Sequence, residues 1–306
     1  MNKYLLVLLL GVMCLASGGI FVKLSELGPV TTAFYRILLA MPLALLWARC
    51  SAAPRPRKGL WNVPRGDFGL LIASGAFLAV DLILWHISFF HTTVANANLL
   101  ANLVPFVVVP MTWLLFGDRP SGVFTLGLVV AVAGVWLLMA GKINPSPDNF
   151  LGDFLAIATA LFYGLYLITV GRLRARYNAG DILFWGGFSS LVILFAVMVV
   201  YESPLFPGTL HGVLILVCLA VFSQIGGQGL IAVSFGRLPI NFASVAVLMQ
   251  PVIAAFYAYL LFSERLSMVE IAGTATVLLG IYIAKTGSFE THAKVRAARG
   301  EPVARK

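Results

Sequence analysis

Residues 94–141, VANANLLANLVPFVVVPMTWLLFGDRPSGVFTLGLVVAVAGVWLLMAG, can be laid over residues 240–287, INFASVAVLMQPVIAAFYAYLLFSERLSMVEIAGTATVLLGIYIAKTG, at a shift of 146 positions. Pro105 falls on Pro251, Leu114-Leu115-Phe116 on Leu260-Leu261-Phe262, Arg119 on Arg265, Ser121 on Ser267, Gly127 on Gly273 and Gly134 on Gly280. About ten identities in fewer than fifty positions exceed what two arbitrary apolar stretches give, so each stretch reads as one copy of an internal repeat. The match runs upstream as well, where Ser88-Phe89 pairs with Ser234-Phe235.

The apolar character of the repeat extends over the whole chain. Of 306 residues, 60% are hydrophobic and 11% charged, and the mean hydropathy is +0.96. Soluble domains carry about 45–50% apolar and about 25% charged residues, so water is not the main solvent here. A membrane span needs about 20 mainly apolar residues, because a helix rises about 1.5 Å per residue across a core of about 30 Å. Such runs cover 4–22, 30–48, 68–88, 92–116, 122–140, 153–171, 181–200, 211–231, 238–262 and 267–285. Turn-forming residues separate them: Leu27-Gly28-Pro29, then Pro54, Pro56 and Pro64, Gly117 to Pro120, Asn144 to Pro147, and Ser203 to Pro207. Backbone in lipid must bond internally and the alternation of a membrane β-barrel is absent, so these runs are helices. The first run, from Tyr4, is long enough to span and reads as a transmembrane helix rather than a cleaved leader.

The formal net charge of +9 would suggest nucleic acid if the bases formed a stripe, but they collect in short gaps between apolar runs. With a cytoplasmic N-terminus, seventeen Lys and Arg lie inside: Lys3, Arg49, Arg55, Arg57, Lys58, Arg65, Arg119, Arg172, Arg174, Arg176, Arg237, Lys285, Lys294, Arg296, Arg299, Arg305 and Lys306. Only Lys23, Lys142 and Arg265 lie outside, and Arg36 is within a span, so both termini are placed in the cytoplasm. The tail after Lys285 reads as a short solvated anchor at anionic lipid. Five helices per repeat is an odd number, so the second copy enters the membrane inverted, as in secondary transporters. The expected fold class is therefore an all-α membrane protein, ten transmembrane helices as two inverted five-helix repeats. The expected divisions are 1–141 for the first repeat, 142–151 for an outer linker, 152–287 for the second repeat and 288–306 for a basic cytoplasmic tail.

At these residues the chain resembles the drug/metabolite transporter superfamily, in its ten-helix bacterial branch with two EamA-type repeats. The resemblance covers nearly all of residues 4–285. It rests on Phe-Gly-Asp-Arg at 116–119, Phe-Ser-Glu-Arg at 262–265, Phe34-Tyr35-Arg36, and the run from Asp81 through Trp85-His86 to Asn98 and Asn102. The first repeat departs from the family's more usual pattern, with Asp118 and Pro120 where Glu, and a small aliphatic residue after the Arg, are commoner. The resemblance implies a multi-pass protein of the cell inner membrane that exports or exchanges metabolites by alternating access, and it names no cargo.

Ionisable groups inside a bilayer are costly and are functional candidates by default. Arg36 lies near 10 Å depth from the outer end of its helix, and Asp81 lies about 20 Å from the inner side of a core of about 30 Å, so the two share a depth. They are either a structural ion pair or a proton or solute-ammonium site. Trp85 is four residues from Asp81 and shares its helix face, whereas His86 points away and toward the outer surface. Asn98, Asn102 and Pro105 form an i, i+4, i+7 stripe, either interhelical glue or cavity lining. Gln224 and Gln228 make a second polar pair, and Gln250 precedes Pro251 at the position matching Pro105. Tyr163 is among the aromatics able to stack on a planar or cationic solute. Gly127 with Gly134, and Gly273 with Gly280, put small residues two turns apart and read as a close-packing face.

Cys14, Cys50 and Cys218 lie apart with no zinc or redox spacing, and no metal or cofactor is expected. No Walker A motif is present for ATP-driven pumping. The expected partners are a small-molecule solute and the lipid bilayer, not nucleic acid, with a homodimer left open. The expected function is a secondary transporter or exporter of an amino-acid-like or drug-like solute, not an enzyme. The alternatives are a membrane enzyme acting on a lipid or prenyl substrate, which would need clustered acids the loops lack, and a passive channel.

Overall fold

A computed structural model describes residues 2–51, 63–140, 146–262 and 267–298. Ten helices within it are long and apolar enough to cross a membrane. They are α1 (Lys3–Leu24), α2 (Pro29–Cys50), α3 (Arg65–His91), α4 (Asn96–Phe116), α5 (Gly122–Met139), α6 (Pro147–Leu173), α7 (Ala179–Tyr201), α8 (Leu210–Phe235), α9 (Ile240–Tyr257) and α10 (Met268–Ser288). No strand occurs among the described residues. Arg55, Arg57, Lys58, Lys142, Arg265 and the end of the basic tail lie outside them.

Large apolar side chains cover the outward faces, with Leu114, Leu126, Trp136, Phe195, Val200 and Tyr282 all exposed. In water this would be an aggregating surface; in lipid it is the solvated one. The chain is a multi-pass membrane protein. Polar residues turn inward instead. The buried stripe of α2 runs Ala33, Arg36, Ile37, Ala40, Ala44 and Ala48, and that of α3 includes Leu71, Ser74, Leu78, Asp81 and Leu82. Each charged residue thus occupies a helix position whose neighbours one turn away are core.

The main helix contacts follow one exchange rule. The pairs α3–α6, α3–α7 and α4–α6 have counterparts α8–α1, α8–α2 and α9–α1, obtained by advancing each helix five places, while α2–α7 and α5–α10 map onto themselves. Two similarly folded halves that interlock produce this pattern. The tightest seam is α5–α10, where the expected small-residue face is present. A Cβ at Gly280 would lie 2.2 Å from Ala131 N, one at Gly127 2.2 Å from Ala284 N, and one at Gly134 2.5 Å from Val277 N. Only glycine lets these backbones meet.

Several of the expected continuous helices are interrupted. The α4 run consists of Val94–Ala101 and Pro105–Phe116, and the α9 run of Ile240–Ala246 and Met249–Phe262. The breaks fall at equivalent places in the two repeats, because Pro105 and Pro251 cannot donate the backbone bond a straight helix needs. Helix α1 is broken at Ser17, and α8 widens into a π-helix over Leu219–Gly229. The last helix runs on from Met268 to Ala298, so the first part of the tail is helical.

Candidate solute site

Arg36 and Asp81 sit deep in the bundle, 3% and 7% exposed. The direct ion pair expected between them is not among the contacts of the described residues. Arg36 instead donates Nε–H to Gln224 Oε1 at 3.0 Å, joining α2 to α8. Arg36 and Asp81 still lie near enough to act on one another electrostatically, and both act on Tyr163 and Tyr166. The Tyr163 hydroxyl donates to Gln228 Oε1 at 3.4 Å, and its ring stacks on Tyr166 at 5.8 Å between centroids. The π-helix aims both glutamines inward: four residues advance about one turn in such a helix, so Gln224 and Gln228 stay on one face.

His86 corrects one expectation. It is fully buried rather than facing the outer surface, and it lies within the field of Arg36. Its Nδ1 is 2.6 Å from the Leu82 carbonyl, which makes Nδ1 the donor, and Nε2 is buried without a partner. Trp85 packs edge-on against His86 at 5.0 Å and against Phe89 at 4.8 Å. Arg36, Asp81, His86, Tyr163, Gln224 and Gln228 therefore form one polar cluster, with Trp85 at its edge. The cavity beside Gln224 measures about 10 Å³, bordered by Ile37, Ala40, Met41, Ala44, Leu183 and Ile225. That is room for about one water.

Asn98 and Asn102 do something else. Asn102 Nδ2 donates to the Asn98 carbonyl at 2.6 Å, closing the first segment of α4 at its break. The Asn102 amide is therefore a local cap at the break in the expected stripe. Gln250 is half-buried at the start of the second segment of α9.

The two ends of the bundle differ. At the end carrying Arg119, Arg172, Arg237 and Lys285, the basic end, a cavity of about 350 Å³ opens between α4, α5, α6, α8, α9 and α10. Its lining includes Thr112, Asp118, Arg119, Arg237 and Asn241. The Thr112 hydroxyl meets Asn241 Oδ1 at 2.6 Å on its floor. Sequence reasoning missed this vestibule, because Arg119 and Arg237 look like ordinary membrane-flanking bases.

The opposite end is held by carboxylates. Helix α2 has no cap of its own, and Glu202, beyond the end of α7, supplies one by accepting from Val30 N at 2.8 Å and from Thr31 N and Oγ1 at 2.7 Å each. Reciprocally, Glu26 in the α1–α2 loop accepts from Gly208 N at 3.2 Å, Thr209 N at 3.3 Å and the Thr209 hydroxyl at the start of α8. The Thr209 hydroxyl holds the Glu26 carboxyl below the usual carboxylate range, with His211 adding to the effect. Gly28 and Gly212 leave room for these acids, since a Cβ on either would come within 2.5 Å of the carboxylate. A third carboxylate, Asp153, accepts from Thr92 at 2.6 Å and Asn96 at 3.2 Å. No sequence signal announces the two glutamate contacts, whose partners are some 170 to 180 positions away.

A ten-span helical bundle with a buried, mixed-charge polar cluster and a vestibule at one end belongs to the class of multi-pass membrane transporters. The EamA-like transporter family model matches residues 2–140 and again 150–286, and the chain belongs to that family. It is 25% identical over 247 residues to the pseudopaline exporter of Pseudomonas aeruginosa, covering 80% of this chain and 82% of that one. A "Probable amino-acid metabolite efflux pump" of Escherichia coli is 24% identical over 196 residues, covering 61% of this chain and 66% of the other. A crystal structure with 14% identity superposes with a TM-score of 0.81 over 95% of this chain and 99% of its own, which shows a shared fold.

Proposed function

We propose that the chain is a secondary transporter that exports a small amino-acid-like or drug-like metabolite across the inner membrane by alternating access. The observation that carries this reading is the Arg36–Gln224 contact with Asp81 nearby: buried charge placed at the seam between the first and second halves of the chain. A structural role alone would favour a closed ion pair, whereas here the Asp81 carboxylate keeps no hydrogen-bond partner among the described residues. Such a group is available to a coupling proton or a solute ammonium, with Arg36 as its counter-charge. The equivalent breaks in α4 and α9 flank this region, as expected of a midplane site between repeats. The names of the two relatives, both exporters, support the direction and the cargo class.

The two halves are inverted repeats, 1–141 and 152–287 joined by an outer linker at 142–151, with the basic end and both termini in the cytoplasm. The charge asymmetry supports this orientation. On it, the vestibule faces the cytoplasm, the centre is occluded, and the carboxylate-held end closes the outside: a state ready to load for export. An enzyme reading lacks the clustered acids or base pairs that lipid chemistry needs.

The test is flux in liposomes containing only this protein. A panel of radiolabelled amino acids and related metabolites, measured with and without a pH gradient, should reveal saturable transport of at least one solute, sensitive to Asp81→Asn. Maleimide labelling of intact cells should reach a cysteine at position 148 and not one at position 57. Absence of flux for every solute, or the reverse labelling pattern, would refute the respective claim.

A further inference from the structure

The vestibule contains chemistry that the central cluster lacks. Four of the arginines near the basic end divide into two kinds. Arg174 is consumed by structure, donating Nε–H to the Ala232 carbonyl at 2.8 Å and Nη1–H to the Tyr177 carbonyl at 2.5 Å. Arg176 pairs with Asp67 at 2.7 Å. Arg119 and Arg237 both line the cavity. Among the described residues neither of their guanidinium groups donates a hydrogen bond or meets a carboxylate.

What holds these two are aromatic faces. Arg119 lies 5.9 Å from the Trp113 ring centroid, and Arg237 lies 5.9 Å from that of Tyr4. A ring fixes a guanidinium through its face and leaves the N–H edges free, which is the arrangement that suits in-plane recognition of an oxyanion. Among the described residues of the lining Asp118 is the one acid beside the two arginines, an excess of positive charge that suits an anion. Phe124, Phe235 and Leu238 add buried apolar walls to the lining, and a guanidinium–carboxylate contact made beside them is charge-assisted. A volume of about 350 Å³ is at the small end of the range of about 300–1,000 Å³ for ligand sites. It suits a metabolite, and the walls are helix ends rather than the lipid-facing surface.

We propose that this vestibule is a loading site separate from the central cluster, where Arg119 and Arg237 bind the carboxylate of a small anionic or zwitterionic solute. The proposal rests on the transport reading for its biological sense, but binding can be measured without transport. The purified full chain in maltoside micelles, at fixed ionic strength, is titrated with N-acetylleucine and with leucinamide. These share a side chain and differ in bearing a carboxylate or a cation. Microscale thermophoresis should show saturable binding of N-acetylleucine and at least tenfold weaker binding of leucinamide. The Arg119→Gln/Arg237→Gln variant should lose at least tenfold in affinity for the carboxylate, with the Lys double variant in between. Arg172→Gln, exposed at the same end but outside the lining, should bind as the parent does. Melting curves check that the variants fold.

Equal binding of the two probes, or unchanged binding in the double glutamine variant, overturns the proposal. So does arginine-dependent binding confined to dihexanoyl phosphatidylglycerol, which would make this a lipid-headgroup site. Arginine-dependent carboxylate binding without flux of any solute would leave the site standing and remove the transport reading. Flux that persists in the double variant with unchanged KM would do the opposite.

Discussion

Replacing Glu202 by alanine tests whether the carboxylate-held end is a gate. In the closed form Glu202 caps α2 through two backbone N–H groups and one hydroxyl, all within 2.7–2.8 Å. Losing a helix cap costs about 0.5–2 kcal/mol, and losing a charge at a helix N-terminus costs about 0.3–1 kcal/mol. The closed state should therefore be weakened by about 1–3 kcal/mol relative to a state in which this contact is already broken, a shift of about 5- to 150-fold toward opening. Ala33, buried below this end in α2, is replaced by cysteine in a background lacking Cys14, Cys50 and Cys218. When opening is rare, the labelling rate by an impermeant maleimide scales with the open population, so the rate should rise by that factor in Glu202→Ala. A cysteine at Asn241, on the vestibule floor, should label more slowly in the same variant. A rate at position 33 within twofold of the parent, with an unchanged melting temperature, would refute the gate. Faster labelling at both positions would indicate general loosening instead.

Three further outcomes are expected. Gln224→Leu removes the acceptor of the buried Arg36 guanidinium and should destabilise the protein by about 1–3 kcal/mol, whereas Asp81→Asn, which breaks no hydrogen bond, should melt near the parent temperature yet lose gradient-driven flux; a large loss of stability in Asp81→Asn would make that residue structural. Gly280→Leu forces side-chain atoms into the Ala131 backbone and should cost about 1–3 kcal/mol or more, read as a lower melting temperature in detergent, while Gly19→Leu, where a Cβ meets nothing within 4 Å, should cost far less. Glu26 has a depressed carboxyl, so its contribution to holding the end closed is full above the ordinary carboxylate range and is lost only as pH falls through the depressed value. Labelling at position 33, expressed relative to that of an exposed cysteine at the same pH so that the thiolate fraction cancels, should thus be flat at and above the ordinary carboxylate range and rise only below it in the parent but not in Glu26→Ala, and a rise near neutral pH would contradict it.

Much of this molecule was legible in the chain. Length, apolar periodicity and turn chemistry located ten spans because lipid allows a run of twenty apolar residues few alternatives to a helix. The repeat made the glycines of α5 and α10 visible as a packing face. Arg36, Asp81, Tyr163, Gln224 and Gln228 stood out because polar groups in hydrocarbon need a reason to be there, and the bundle does bring them together. Asn98 and Asn102 were less legible. Their spacing fits a helix face, but the helix breaks before Pro105 and the Asn102 amide donates to the Asn98 backbone carbonyl.

Only the tertiary structure decided the rest, and for one physical reason: those features are relations between segments far apart in sequence. Whether Arg36 meets Asp81 or Gln224 depends on how α2 docks on α8, and no propensity encodes that docking. Glu26 and Glu202 are unremarkable loop acids until folding sets each against the opposite hairpin's helix start. Arg119 and Arg237 obey the charge rule for membrane flanks, and they become a pair only where the ends of α4 and α8 converge on a common cavity.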